Sequence, residues 1–198
     1  MSLVGFAVAG GASRRMGRDK ALLPWGGTDL LGHALARLQA VASEVRILCG
    51  AQARYGDRGF PVELDPVPGA GAIGGLLAAL AAARGRSALL LAVDLPLVPE
   101  SLLARLATLA PDADAVVPVW ARGPEPLCAL YGAACLSAVR RRVAGGELRM
   151  TSFWPDVRVR ELGAAELAAF GEPDRLFLNV NGPDDYAAAA SPGGTADR

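Results

Sequence analysis

Short apolar runs alternate along the chain with stretches in which apolar positions recur every three or four residues. Leu3 to Ala9 is an unbroken apolar run and predicts a buried strand. After Asp29, a residue suited to cap a helix, Leu31, Ala34, Leu35 and Leu38 recur at helical spacing. Val45 to Cys49 predicts a second strand and Pro61 to Leu64 a third. Ile73 to Ala83, marked by Leu76, Leu77 and Leu80, predicts the next helix. Ala88 to Val93 is apolar on both faces and ends at Asp94, and Leu102, Leu103, Leu106 and Leu109 follow as a helix. Ala115 to Val119 is another strand, in which Pro118 lacks a ladder donor and points to an edge or a strand end. Leu127 to Tyr131, a helix through Leu136, Val139 and Val143, strands at Val157 to Glu161 and Leu176 to Val180, and a helix from Pro183 complete the pattern. Strands alternating with helices predict an α/β fold, with a mostly parallel sheet covered by helices on both faces.

Length adds the organisation. The 198 residues suit one domain, expected over 1–190, with 191–198 as a frayed tail of Pro, Gly, Thr and Asp. Hydrophobic residues make up 52% and charged residues 20%, enough to bury a full core. Twenty basic and 20 acidic side chains cancel, so the basic excess of a nucleic-acid binder is absent. Three cysteines (Cys49, Cys128, Cys135) and one histidine (His33) are too few for a Cys/His zinc site or a disulfide framework. A reducing cytoplasm is expected. No apolar stretch approaches the ~20 residues of a membrane span, so no membrane partner is expected.

In open α/β sheets, ligands bind beyond the carboxyl ends of the strands. The first such loop runs from Gly10 to Lys20. Gly10 and Gly11 let a ligand approach the backbone N–H groups, Ser13 offers a hydroxyl, and Arg15 and Lys20 can neutralise phosphate charge. Neither Gly-x-Gly-x-x-Gly nor Gly-x-x-x-x-Gly-Lys-Ser/Thr occurs, which excludes the dinucleotide fingerprint and the P-loop. By composition alone, a solvated basic loop explains the segment equally well. Asp94 and Asp65 each follow a strand and precede a proline, where a turn is the common role of aspartate. The Arg140 to Arg142 run reads as a solvated helix face, Arg149 as a loop residue within reach of a phosphate, and His33 and Cys128 as packing residues.

The whole string Val8-Ala9-Gly10-Gly11-x-Ser13-x-Arg15-Met16-Gly17-x-Asp19-Lys20 resembles the signature of a nucleotidyltransferase superfamily. Its members activate sugars, isoprenoid precursors and molybdopterin. Asp19 before Lys20 narrows the resemblance to the molybdenum cofactor guanylyltransferases. Glu125-Pro126-Leu127-Cys128-Ala129-Leu130-Tyr131 and Asn179-Val180-Asn181-Gly182-Pro183-Asp184 resemble two further segments of that family, in the same order. The resemblance implies a Rossmann-like three-layer sandwich of the nucleotide-diphospho-sugar transferase type. It implies GTP as donor and molybdopterin or molybdenum cofactor as acceptor, and a Mg²⁺ ion held by Asp94. Nucleotide contacts are implied for Val8, Ala9, Gly10, Gly11, Ser13, Lys20, Asp65 and Asp94. Catalytic roles fall to Arg15, Lys20 and Asp94.

The acceptor is expected beside Glu125, Pro126, Leu127, Asn179 and Asn181. Asn179 equally suits a turn, and Asn181 can cap the helix from Pro183. Two departures stand out. The family's Gly-Pro-Leu-x-Gly is Gly71-Ala72-Ile73-Gly74-Gly75 here, and a family asparagine near Cys49 has no counterpart. A monomer is expected, with transient contacts to cofactor-insertion or recipient proteins. The alternatives are a cytidylyltransferase or sugar-phosphate nucleotidylyltransferase of the same fold, or a non-catalytic nucleotide- or cofactor-binding module.

Overall fold

The computed structural model describes residues 3–10 and 19–191. Gly11, Ser13, Arg15 and the tail from 192 to 198 lie outside the described residues. The first apolar run forms β1 (Leu3–Val8). It lies between β4 (Glu44–Leu48) and β6 (Ser87–Ala92), parallel to both. β5 (Val62–Glu63) continues the sheet beyond β4, also in parallel. On the other side of β6 comes β9 (Cys128–Tyr131), which runs antiparallel to β6 and to β7 (Ala115–Trp120). Beyond β7, β10 (Val159–Leu162) is parallel again. The sheet order is therefore β10-β7-β9-β6-β1-β4-β5, mostly parallel with β9 reversed. Two short hairpins complete the strands: β2 (Pro24–Trp25) with β3 (Thr28–Asp29), and β8 (Gly123–Pro124) against the end of β7.

The alternation of side chains along a strand divides the core between two faces. On β6, Leu89 and Leu91 enter one apolar cluster, while Ala88 and Leu90 enter the other. The first cluster is closed by α1 (Leu30–Gln39) and α3 (Glu100–Thr108), the second by α2 (Ala72–Ala82) and α4 (Cys135–Ala144). The result is the three-layer α/β sandwich expected from the pattern. Each fully buried leucine contributes about 1.5–3 kcal/mol, so the three in β6 make this strand a main source of stability. Asp29 caps α1 as expected, accepting a hydrogen bond from Gly32 N at 2.8 Å. Gly5 lets α1 lie close to the sheet, since a Cβ there would meet Leu38 Cβ at 3.1 Å.

One sequence expectation is corrected. Leu176 to Val180 is not a strand: Pro173 opens a short helix, α6 (Pro173–Leu176), and the chain then runs irregularly to α7 (Pro183–Ala190). The apolar run reflects burial, because Leu176, Phe177 and Val180 all enter the core. Val180 N–H donates to Asp94 O at 2.9 Å, where a strand would use a ladder. Pro118 takes the second of its two expected places, past the end of a ladder rather than on an edge strand. β7 is flanked by β9 and β10, but its pairing with β9 stops at Val116, so the missing N–H of Pro118 interrupts no bond on that side. α5 (Ala164–Leu167) packs Leu167 under the first cluster. Among the described residues, no helix is long and apolar enough to cross a membrane.

Candidate functional site

The carboxyl ends of β1, β4, β5, β6 and β7 share one edge of the sheet, and β9, running the other way, starts there. This edge therefore collects the residues that follow the parallel strands and the Glu125–Leu127 segment that precedes β9. Asp94 comes two residues after β6. Leu95 N–H donates back to Ala92 O at 3.1 Å, which turns the chain and leaves the carboxylate at the edge.

Lys20 opens a 3₁₀ turn, Lys20–Leu22, capped by the Asp19 carboxylate, which accepts from Ala21 N at 3.1 Å. Its ammonium donates to Asp94 Oδ2 at 2.6 Å and to Asn181 Oδ1 at 2.9 Å. Three residues separated by 74 and 161 positions in the chain thus meet at one point. The Lys20 and Asp94 side chains keep 19% and 21% of their surface, so the pair is accessible to a ligand. Asn181 does not cap α7, as the sequence suggested. Gly182 holds the cap position, Asn181 N–H donates to Asp185 Oδ2 at 3.0 Å, and the amide oxygen goes to Lys20.

The same edge of the sheet holds a cavity of about 760 Å³. Val8, Gly10, Asp65 and Leu127 line it with Gly50 and Arg54. Gly10 is confined to glycine here because a Cβ would lie 2.9 Å from Gly50 N. Gly50 itself has a positive φ of 76°, and its carbonyl accepts from Asp65 N at 2.9 Å. The loops after β1, β4 and β5 are thereby stitched side by side. Burial pushes the Asp65 carboxyl upward from its ordinary value. The start of α2 lies against that carboxyl, since a Cβ on Gly75 would be in ordinary contact with Asp65 Oδ1 at 3.5 Å.

Glu125 is pushed up to about 7, first by burial and then by the negative charge of Asp94, against a stabilising contact from Leu127 N–H. Pro126 and Leu127 are held in place by backbone hydrogen bonds. Tyr131 OH donates to Pro126 O at 2.8 Å, and Ala92 N–H to Leu127 O at 2.8 Å. The Asn179 side chain donates to Phe177 O at 3.3 Å, which orders its own turn. Cys128 and Cys135 are fully buried, and burial raises both thiols, to about 12 for Cys135, so they pack and stay unreactive. His33 is structural: its ring lies 2.8 Å from Arg37 Nε and 3.0 Å from Pro96 O through Nε2. In the Arg140–Arg142 run, Arg141 and Arg142 pair with Asp156, and Arg142 also with Glu147. Arg149 is exposed in the loop after α4.

Arg54 and Tyr55 were not visible from the sequence. Both contact Asp19, and Arg54 lines the cavity. They follow β4 by six and seven residues in a segment without a motif, and only the proximity of an arginine to a strand end could have flagged them.

Among the described residues, no group of three or more His, Cys, Asp or Glu side chains comes together. Magnesium does not need one, since it binds through one or two carboxylates together with substrate phosphates. Asp94, open to the edge of the sheet, fits that requirement.

Residues 5–155 match the family of the MobA-like NTP transferase domain. A molybdenum cofactor guanylyltransferase of Cereibacter sphaeroides is 39% identical over 197 residues, covering 96% of this chain and 97% of that protein. The crystal structure of molybdopterin-guanine dinucleotide biosynthesis protein A from Archaeoglobus fulgidus superposes with a TM-score of 0.77 at 24% identity, over 94% of this chain and 96% of that one. A Mycobacterium tuberculosis protein solved in complex with manganese gives a TM-score of 0.64 at 23% identity, over 96% and 98% of the two chains. The structural likenesses establish a shared fold.

Proposed function

The chain belongs to the MobA-like NTP transferase domain family, and from that premise we propose that it transfers GMP from GTP to the terminal phosphate of molybdopterin, releasing pyrophosphate. The names of relatives such as the Cereibacter sphaeroides guanylyltransferase support both substrates. The observation that carries the reading is the meeting of Lys20, Asp94 and Asn181 at the strand edge that also holds the cavity lined by Gly10, Asp65 and Leu127.

An acceptor phosphate oxygen bonds to the α-phosphorus, the bond from that phosphorus to the β-phosphate oxygen breaks, and pyrophosphate leaves with the electron pair. The attacking phosphate is already ionised, so no general base is required. Catalysis then consists of positioning and charge stabilisation. Lys20 neutralises charge on the phosphates, and Asn181 fixes the direction of its ammonium. Arg15 adds a second cation in this reading, with Ser13 and the Gly10–Gly11 backbone as donors. The cavity takes the guanosine, with Asp65 facing it. Asp94 would hold Mg²⁺, which supplies charge neutralisation at the phosphates, and the manganese bound to a structural neighbour supports a divalent ion. Glu125, Pro126, Leu127 and Asn179 are proposed to border the acceptor.

The test is pyrophosphate release from GTP and molybdopterin with Mg²⁺. Lys20→Ala is expected to lower kcat by roughly 10²–10³-fold, the usual effect of losing one preorganised charge-stabilising group. Its melting temperature should hardly move, because a partly exposed ion pair contributes only about 0–1 kcal/mol. Asp94→Ala should abolish the metal-dependent rate. Unchanged turnover in Lys20→Ala would remove the site from this edge of the sheet.

A further inference from the structure

We propose that Arg54 and Tyr55 are positioning residues that clasp the two ends of the segment between Ala9 and Asp19 and thereby set Lys20 against the triphosphate. The identity of the ligand rests on the guanylyl-transfer reading, but the clasp is a matter of geometry. Arg54 reaches both ends of that segment at once. Its Nη2 donates to Ala9 O at 3.2 Å and to Cys49 O at 3.5 Å, and its Nη1 donates to Asp19 Oδ2 at 3.2 Å. Tyr55 OH donates to the same Asp19 carboxylate, with contacts of 2.8 and 3.0 Å. Asp19 is the residue before Lys20 and caps the turn that Lys20 begins. The path from clasp to site is therefore one peptide bond.

The backbone shows that this arrangement is imposed. Tyr55 sits in the left-handed region at φ 64°, ψ 22°, a conformation that costs a non-glycine residue energy and persists only where the surroundings enforce it. It is 7% exposed, and the Arg54 guanidinium lies over its ring at 5.1 Å. Strain, a buried aromatic ring and an arginine fork all serve to hold one carboxylate. The planar guanidinium suits the task because it donates in two directions at fixed separation, which a lysine cannot do. Fixing Asp19, and through it Lys20, before the ligand arrives removes ordering entropy that binding would otherwise have to meet. The expected consequence is affinity for the triphosphate rather than for the base.

The experiment uses the whole chain with Arg54→Met, Tyr55→Phe and Arg54→Lys. Calorimetry with inorganic tripolyphosphate plus Mg²⁺, and separately with GMP, reads the two halves of the ligand. Both Arg54→Met and Tyr55→Phe should weaken tripolyphosphate binding by about tenfold or more, the scale of a lost hydrogen bond to a charged group. GMP affinity should change by less than about threefold, and Arg54→Lys should recover part of the loss. In turnover, KM for GTP should rise and kcat should fall as well, because Lys20 is the group that the clasp positions. Tyr55→Phe keeps the ring and its packing, so it carries the test alone if Arg54→Met does not fold. Unchanged tripolyphosphate affinity in Tyr55→Phe overturns the clasp. An equal loss for GMP and tripolyphosphate also overturns it, because Arg54 would then be contacting the base. A wild-type chain that binds tripolyphosphate but makes no pyrophosphate from GTP and molybdopterin overturns the guanylyl-transfer reading and leaves the clasp standing.

Discussion

At the scale of single residues, Glu125 shows how placement creates a property that composition hides. Its carboxyl, pushed to about 7 by burial and by Asp94, titrates well above its ordinary value of 4.5. Below the ordinary value the group is protonated in both folded and unfolded chains. As pH rises from there, the unfolded chain releases the proton first, so stability falls, and the loss is complete above about 7. Glu125→Gln should therefore be more stable than the wild type near pH 8 and equal to it near pH 4, as measured by urea unfolding at the two pH values. A pH-independent difference would show that the carboxyl is not the source. The sequence marked Glu125 only as part of a segment, since nothing local distinguishes a half-buried glutamate from a solvated one. Lys20 and Asp94 were more legible. A basic residue closing a glycine loop and an aspartate ending an apolar strand are both written locally, although their 2.6 Å contact is not.

At the scale of elements, α7 ties two parts of the site together. Tyr186 on this helix packs edge-on against Trp25 of β2, with ring centroids 5.7 Å apart, and its hydroxyl donates to Pro24 O. Trp25 follows the Lys20–Leu22 turn by three residues, and Tyr186 follows Asn181 by five. This seam holds together the two elements that carry Lys20 and Asn181. Tyr186→Phe keeps the ring contact and loses one hydrogen bond, so it should cost about 1 kcal/mol. Tyr186→Ala loses the ring contact as well and should lower both stability and kcat. A Tyr186→Ala variant with full turnover would show that the seam does not govern the site. The helix itself was predictable from Pro183 at its first position. The irregular segment before it was not, because a buried apolar run reads alike whether its backbone bonds to a strand or, as Val180 does, to a single carbonyl.

At the scale of the whole molecule, ligand binding and folding are linked, because the cavity exists only when the loops after β1, β4 and β5 lie side by side. Any nucleotide that binds the folded chain alone stabilises it. At 100 times its Kd, MgGTP should add about 2.7 kcal/mol, a rise of roughly 5–10 °C in Tm for a chain of this size. CTP, ATP and UTP at the same concentration should give smaller shifts, and an equal shift with CTP would remove guanine selectivity. The sequence by itself determined the α/β layering, the strands that carry the core and the capping of α1 by Asp29. Those features follow from periodicity and from residues within a few positions of one another. Only the tertiary structure decided that β9 runs against its neighbours, that Asn181 serves Lys20 rather than its helix, and that Arg54 and Tyr55 grip Asp19. These depend on which distant segments the sheet order brings to one edge, and a linear pattern of apolar and polar positions carries no record of that order.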